Sequence, residues 1–345
     1  TSNNNNSSSG YVSQISLENY SDTAVYAANK ILPSIVGIKV EYTVNNPMLS
    51  MFGQSSNSTA TATGSGIIIS EDGYILTNNH VISTDSSSSS NSSYQISEAN
   101  KITVTLFNDT TEYEATIVGK DEETDLAVIK IDKTDLPKAE FADSDSIKVG
   151  EFAMAVGNPM GMDSTVTCGI VSAVNREVTD SEGNTFTLIQ TDAAINAGNS
   201  GGALVNSEGK VIGINTLKLE GTGIEGLGFA IPINSTTDIT SQLIEYSKVK
   251  RPYIGLTGMD LDEETAEKNN LVPGVYVKSI EDFSSAEKAG IKPGDVIIEA
   301  DGTKISTMDD LNKIKNSHKI GDEMKIKVNR NGQERELTVT LGEQP

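Results

Sequence analysis

Apolar residues in this chain come mostly in short β-branched runs separated by Gly, Asn and Asp, and take helical spacing in only a few places. The first 15 residues are Ser- and Asn-rich and predict no ordered structure, so residues 1–19 read as a disordered linker. Ala24, Ala27, Ala28 and Ile31 then suit a short helix, which Pro33 stops. Ile35-Val36-Gly37-Ile38-Lys39-Val40 reads as a strand. From there to about residue 232, runs at 66–70, 74–77, 102–107, 115–118, 126–131, 152–156, 169–174, 186–191, 204–205 and 211–216 alternate with turn residues. Short strands at this spacing predict an antiparallel barrel or sandwich, and the length suffices for two barrels of about six strands each.

Two polar stretches interrupt the pattern. Residues 45–63 are rich in Ser, Asn and Met, and residues 84–93 contain five consecutive serines; both predict surface loops, the first with a regulatory role as the alternative. A helix is expected at 235–247, capped by Ser235, with Ile239, Leu243, Ile244 and Tyr246 on its apolar side. Pro252 marks a boundary. The chain thus divides into a linker at 1–19, a β-rich domain at 20–234, a connecting helix at 235–251 and a smaller α+β domain at 252–345.

Composition narrows the function. The net charge of −22 repels phosphate backbones, so nucleic acid is not an expected partner. One cysteine and two distant histidines provide no zinc set, and no metal or cofactor is expected. No stretch approaches the ~20 apolar residues that span a bilayer. The opening Thr1-Ser2-Asn3-Asn4 lacks an initiating Met and reads as a linker left after an upstream segment was removed.

The chemistry begins at Gly198-Asn199-Ser200-Gly201-Gly202. Flanking glycines permit a sharp turn that presents a hydroxyl beside converging N–H groups, which is what a developing oxyanion needs. The oxyanion hole is expected at Gly198, Asn199 and Ser200, with Gly198 and Ser200 as N–H donors. A serine needs a base, and the first 317 residues contain one histidine, His80, in Thr77-Asn78-Asn79-His80. The imidazole needs an orienting acid, and Asp125 sits at the mouth of the apolar run Leu126-Ala127-Val128-Ile129. The order His, Asp, Ser is that of the chymotrypsin fold.

At this point the sequence closely resembles the HtrA/Deg family of serine proteases over roughly residues 20–342. The resemblance rests on Gly64-Ser65-Gly66-Ile67-Ile68, Thr77-Asn78-Asn79-His80-Val81-Ile82, Thr124-Asp125-Leu126-Ala127-Val128, Gly157-Asn158-Pro159, the run Thr191-Asp192-Ala193-Ala194-Ile195-Asn196-Ala197 leading into Gly198-Asn199-Ser200-Gly201-Gly202, and Gly228-Phe229-Ala230-Ile231-Pro232. It implies an all-β double six-stranded β-barrel protease followed by an α+β PDZ domain. It also implies a homotrimer that degrades misfolded or unfolded proteins without ATP, outside the cytoplasm and often membrane-anchored.

Local readings refine this. Digestive proteases carry an aspartate before the nucleophile, which pairs with a newly cut N-terminus; Asn199 is neutral, so control by loop ordering is expected instead. Ala194 stands where trypsin-like enzymes carry an acid. A pocket of Ala194, Ile195 and Leu227 should therefore take small aliphatic residues. The carboxylate-binding loop of the PDZ-like domain should be Tyr253, Ile254, Gly255 and Leu256, holding C-terminal peptides through backbone N–H groups. Gly226-Leu227-Gly228-Phe229 matches the best-known PDZ loop string but belongs to the protease part. His318 is expected at the surface. The runner-up reading is a binding module that shelters unfolded chains without cutting them.

Overall fold

The computed structural model describes residues 17–45, 57–83, 95–159, 164–179, 185–216 and 227–344. The chain forms two compact units, Thr1–Val249 and Lys250–Pro345. Residues 1–16 of the expected N-terminal linker, the serine tract at 84–93 and Gly226 lie outside the described residues, whereas residues 17–19, expected as linker, already belong to the first helix.

In the first unit, six strands close one barrel: β1 (Ile35–Asn45), β2 (Asn57–Ile68), β3 (Tyr74–Asn78), β4 (Gln95–Thr105), β5 (Glu112–Asp121) and β6 (Leu126–Ile131). A second barrel is closed by β7 (Phe152–Gly157), β8 (Thr165–Thr179), β9 (Thr185–Thr191), β10 (Ala203–Val205), β11 (Val211–Thr216) and β12 (Gly228–Pro232). All neighbours within both barrels are antiparallel.

The period-2 alternation of strands explains why some of these strands are apolar without a break. In β6, Ala127, Ile129 and Ile131 join the cluster inside the first barrel. Leu126 and Val128 face the other way, into a cluster shared with Met154, Val156, Ala203 and Ile214 of the second barrel. Leu204 and Ile212 point into the second barrel, with Ala155, Val171 and Ala230. Each barrel therefore has its own interior, and a third apolar layer welds the two together. The same layer takes Ala27 and Ile31 of the first helix, α1 (Leu17–Ile31).

Three boundaries differ from the sequence reading. Residues 57–63, expected as loop, extend β2, because each pairs in register with β1 from Asn57↔Asn45 to Thr63↔Lys39. Residues 46–56 are outside the described part. Between β3 and β4, His80 falls in a single helical turn, α2 (Asn79–Ile82). The helix after the second barrel, α3 (Ile233–Tyr246), starts two residues early, with Pro232 as N-cap and no side-chain cap. Pro232 ends β12 in extended backbone at φ −57°, so the strand passes straight into the helix, and Ser235 Oγ instead donates to the Pro232 carbonyl at 2.7 Å.

The second unit has a sheet of β14 (Leu256–Leu261), β15 (Gly274–Ile280), β16 (Val296–Ala300), β18 (Glu323–Arg330) and β19 (Gln333–Thr340), with β17 (Thr303–Lys304) beside β16. β13 (Pro252–Tyr253) pairs with β20 (Gly342–Glu343). Its helices are α4 (Glu263–Lys268), α5 (Ser285–Ala289) and α6 (Met308–Asn316). Inside it, Val275, Ile297, Leu311, Ile326 and Val339 pack together. Buried Asp295 takes Nε and Nη2 of Arg330 at 2.6 and 2.8 Å. Among the described residues no helix is long and apolar enough to cross a membrane.

Candidate active site

Strand pairing brings the histidine and the aspartate together. β3 and β6 run antiparallel, with Asn78 opposite Leu126. The residues just beyond this pair, His80 and Asp125, thus emerge at the same end of the first barrel. Asn79 N–H donates to the Asp125 carbonyl at 3.0 Å and so does Asn78 Nδ2, which fixes the aspartate's backbone. Asp125 adopts φ +56°, a conformation that aspartate tolerates better than most residues.

The carboxylate of Asp125 is buried and accepts three hydrogen bonds. His80 N–H donates to Oδ1 at 3.0 Å, the His80 ring meets Oδ2 through Nδ1 at 2.8 Å, and Thr216 Oγ1 donates to Oδ2 at 3.2 Å. A buried carboxylate only accepts, so it selects the tautomer with the proton on Nδ1. That leaves Nε2 as an acceptor, and Ser200 Oγ lies 2.7 Å from it. Asn78 Oδ1 is a second acceptor for the same hydroxyl, at 3.4 Å. The Ser200 hydroxyl and the His80 ring are within proton-transfer reach.

Ser200 sits on a turn with a defined orientation. Asn199 N–H donates to the Asn196 carbonyl at 3.1 Å, and Gly198 has φ +113° while Ala197 has no positive φ. This is the pattern of a type II turn, whose third position favours glycine. The Asn199 N–H closes the turn, in keeping with the expectation that placed the donors at Gly198 and Ser200 on either side of it. Among the described residues nothing accepts from the N–H groups of Gly198 or Ser200, so both remain available to an incoming carbonyl oxygen. The Asn199 side chain holds the loop from within, Oδ1 accepting from Asn196 N–H at 3.0 Å and Nδ2 donating to the Ala194 carbonyl at 3.0 Å.

The pocket residues separate by depth. Ala194 is exposed, and its carbonyl is held by Asn199 and by Thr167 Oγ1 at 2.7 Å. Ile195 is buried inside the second barrel, where its side chain closes against Gly228. Leu227 is half-buried and packs on the layer between the barrels instead. No charged side chain stands among these three positions.

In the second unit, Gly255 has φ +80°, and the N–H groups of Ile254 and Gly255 donate to no carbonyl among the described residues. Leu256 opens β14, an edge strand that pairs only with β15 among the described residues. α6 lies beside β14, its Met308 N–H donating to Asp260 Oδ1 at 2.7 Å. A free edge next to a helix, with unpaired N–H groups at one end, suits a peptide added as a further strand. The Tyr253 hydroxyl bonds the Glu281 carboxylate, which pushes its pKa up to about 12. His318 is partly exposed, with Nε2 at 2.5 Å from Asp301 Oδ2. Among the described residues no cluster of His, Cys, Asp and Glu could hold a metal ion.

Sequence reasoning left Thr216, Ser65 and Asn78 without roles. Each is a buried polar residue beside an apolar or glycine-rich strand, and that contrast was the available signal.

Residues 64–214 match the trypsin-like peptidase domain family and residues 252–341 match the PDZ domain family. The chain is 42% identical over 317 residues to the serine protease Do-like HtrA of Lactobacillus helveticus, covering 85% of this chain and 73% of that one. It is 39% identical to the serine protease Do-like HtrB of Bacillus subtilis, covering 96% and 75%. With the periplasmic pH-dependent serine endoprotease DegQ of Escherichia coli it shares 38% identity, covering 90% and 68%. The solved HtrA-type protease AlgW with a decapeptide superposes with a TM-score of 0.72 at 34% identity, covering 93% of this chain and 99% of that one. This chain therefore belongs to the HtrA/Deg family and is a serine endoprotease with a trypsin-like domain and one PDZ domain.

Proposed function

We propose that this endoprotease cuts misfolded or unfolded proteins outside the cytoplasm, after small aliphatic residues, with Ser200 as nucleophile, His80 as base and Asp125 as its orienting acid. The carrying observation is the unbroken line from Asp125 through His80 to Ser200, at 2.8 and 2.7 Å, beside the two free N–H groups of Gly198 and Ser200. In this reading Ser200 Oγ attacks the scissile carbonyl while its proton passes to His80 Nε2. The N–H groups of Gly198 and Ser200 take the oxyanion. His80 then gives the proton to the departing amine as the C–N bond breaks, and water releases the acyl group by the same route.

Ala194 supplies no counter-charge for a basic side chain, and the apolar Ile195 is buried against Gly228, which supports small aliphatic specificity. The loop 253–256 and the free edge of β14 support capture of C-terminal peptides, in keeping with the relative solved with a decapeptide. Relatives named as periplasmic support an extracytoplasmic site of action. We assign the assembly as a homotrimer, on family membership. Control by loop ordering is supported by Asn199, whose neutral amide is already satisfied within its own loop.

Digestion of casein by the natural chain and by Ser200→Ala, with the cut sites mapped, tests the nucleophile and the pocket. The substitution should cost on the order of 10⁴–10⁶ in rate. The cuts should follow Val and Ala. Equal digestion by both chains would remove Ser200 from the mechanism, and cutting after Lys or Arg with none after Val would overturn the pocket. Protection of clients by both chains with no cutting would favour a binding module instead.

A further inference from the structure

Every residue of β11, Val211-Ile212-Gly213-Ile214-Asn215-Thr216, is buried. A primary amide in such a strand costs stability unless both of its ends are paired. Asn215 is fully buried, and its Oδ1 has no hydrogen-bond partner among the described residues. An apolar side chain would avoid that cost, so what the amide contributes lies at its other end.

Asn215 Nδ2 is ringed by three carbonyl oxygens from three segments: Ala203 of β10 at 3.0 Å, Asn199 at 3.3 Å and Val156 of β7 at 3.5 Å. Carbonyls only accept, so the nitrogen of the amide must face them. The main chain of Asn215 grips the same loop. Gly201 N–H donates to the Asn215 carbonyl at 2.9 Å, and Asn215 N–H donates to the Gly202 carbonyl at 2.9 Å. One residue of β11 thus holds the chain at 199, 201 and 202, on both sides of Ser200.

The bond to Asn199 bears on Ser200 directly. A trans peptide unit is planar, with its C=O and N–H pointing opposite ways. The Asn199 carbonyl and the Ser200 N–H belong to one such unit. Drawing that carbonyl inwards, to Asn215 Nδ2 and to Gly202 N–H at 2.9 Å, turns the Ser200 N–H away from the interior. The loop also lies close on β7, since a Cβ on Gly202 would stand 2.1 Å from the Val156 oxygen and a Cβ on Gly157 2.4 Å from Asn199 Cα.

We propose that Asn215 is a positioning residue for the oxyanion site, its amide setting the angle of the peptide unit that presents the Ser200 N–H. This rests on the reading of Ser200 as nucleophile with its N–H as an oxyanion donor. When that N–H donates to a developing oxyanion, the peptide unit polarises and the Asn199 carbonyl becomes a better acceptor. The bond from Asn215 therefore strengthens as the charge forms, and its contribution falls on the transition state more than on bound substrate.

The test compares the full parent chain with Asn215→Ala and with Asn215→Asp, which keeps the shape and removes the donor. A peptide boronate serves as the charged-state probe: its boron bonds Ser200 Oγ as the hydroxyl proton passes to His80, and one boron-bound oxygen enters the oxyanion site. The same peptide ending in a carboxamide reports ground-state binding. In each variant kcat per titrated active site should fall about five- to thirtyfold, less than the loss of a whole oxyanion donor, with KM and carboxamide affinity within about twofold of the parent. Boronate affinity should fall by the same factor as kcat. A merely structural role would lower the number of titratable sites and leave boronate affinity per site unchanged, and that result in both variants overturns the inference. In the parent chain, labelled with nitrogen-15, the Asn215 Nδ2 proton resonances should move downfield when the boronate adduct forms. This readout needs no variant to fold, and unmoved resonances overturn the inference alone. If the parent forms no boronate adduct, or Ser200→Ala cuts as well as the parent, the reading of Ser200 falls and this inference with it.

Discussion

Ser65, in the first barrel, donates its hydroxyl to the carbonyl of Gly198, in the second, at 2.6 Å. The same oxygen accepts from Asn158 N–H at 2.7 Å, and Ser65 N–H donates to the Ser200 carbonyl at 2.9 Å. One buried serine thus ties the turn on both sides of the proposed oxyanion donors. Pinning the Gly198 carbonyl orients the peptide plane that follows it. Ser65→Ala strands that carbonyl and the Asn158 N–H without a partner, a penalty of about 1–3 kcal/mol for each buried group. The turn should then sample orientations that spoil the oxyanion hole. We expect kcat to fall by about ten- to a hundredfold with little change in KM, less than the full loss of an oxyanion donor. Steady-state kinetics on a chromogenic peptide checks it, and a KM effect with unchanged kcat would refute it.

Thr216 closes the other end of the relay. Its hydroxyl, from the last residue of β11, reaches Asp125 Oδ2 across the barrel interface at 3.2 Å. Hydrogen bonds to a charged group are worth about 1.5–3 kcal/mol. Thr216→Val keeps the shape and removes the donor, so kcat/KM should fall about tenfold. The two His80 bonds to Asp125 remain, which is why the loss stays well short of that expected for Asp125→Asn, about 10⁴. Matching thermal melting curves for the two chains would show that the loss is not one of folding.

Much of this was legible in the sequence because chemistry and strand pattern coincide. His80 and Asp125 flank the apolar runs Tyr74-Ile75-Leu76 and Leu126-Ala127-Val128-Ile129, and a strand buried on both faces is hard to mistake. The glycines around Ser200 announce a turn but not its type; only the φ of Gly198 and the bond from Asn199 N–H show which amides remain free. Ser65 and Thr216 were not assigned because their roles depend on the two barrels meeting, a contact between distant parts of the chain that no local pattern encodes. The extension of β2 back to Asn57 escaped for a related reason. Its Ser, Thr and Ala residues carry a weak strand signal, and pairing with β1 decides the matter.

Acid should loosen the second unit at the start of α6. Asp310 accepts from the N–H groups of Ser306 and Thr307, while Thr307 Oγ1 accepts from Asp310 N–H, forming a reciprocal cap. The Ser306 bond is the leading cause holding the Asp310 carboxyl below its usual value of 3.8. A lowered folded pKa means that the charged form is stabilised by folding. That contribution is complete above the unfolded value and disappears as pH falls through the folded one. Amide exchange of α6 should therefore accelerate as pH drops below about 4, beyond the intrinsic pH dependence of exchange. In Asp310→Asn this excess should be absent. A parent chain whose α6 protection shows no such excess would contradict the assignment.

Gly255 allows a separate test of the two sites. Its φ of +80° already disfavours a side chain, and a Cβ would lie 2.3 Å from Ser284 Cβ, well inside any real contact. Gly255→Ala must therefore push the turn at 281–284 away and break the bond from Glu281 N–H to the Gly255 carbonyl. Affinity for a C-terminal peptide should fall at least about tenfold, since backbone N–H groups and not side chains are displaced. The proposed catalytic line from Asp125 to Ser200 and its ties at Ser65 and Thr216 contain no atom of the second unit. With no peptide added, kcat on a small chromogenic substrate should stay within about twofold of the parent, as expected for sites without shared contacts. Calorimetric titration of the peptide and a parallel activity assay separate these effects. A variant that keeps full peptide affinity would show that the loop 253–256 is not where the carboxylate is held.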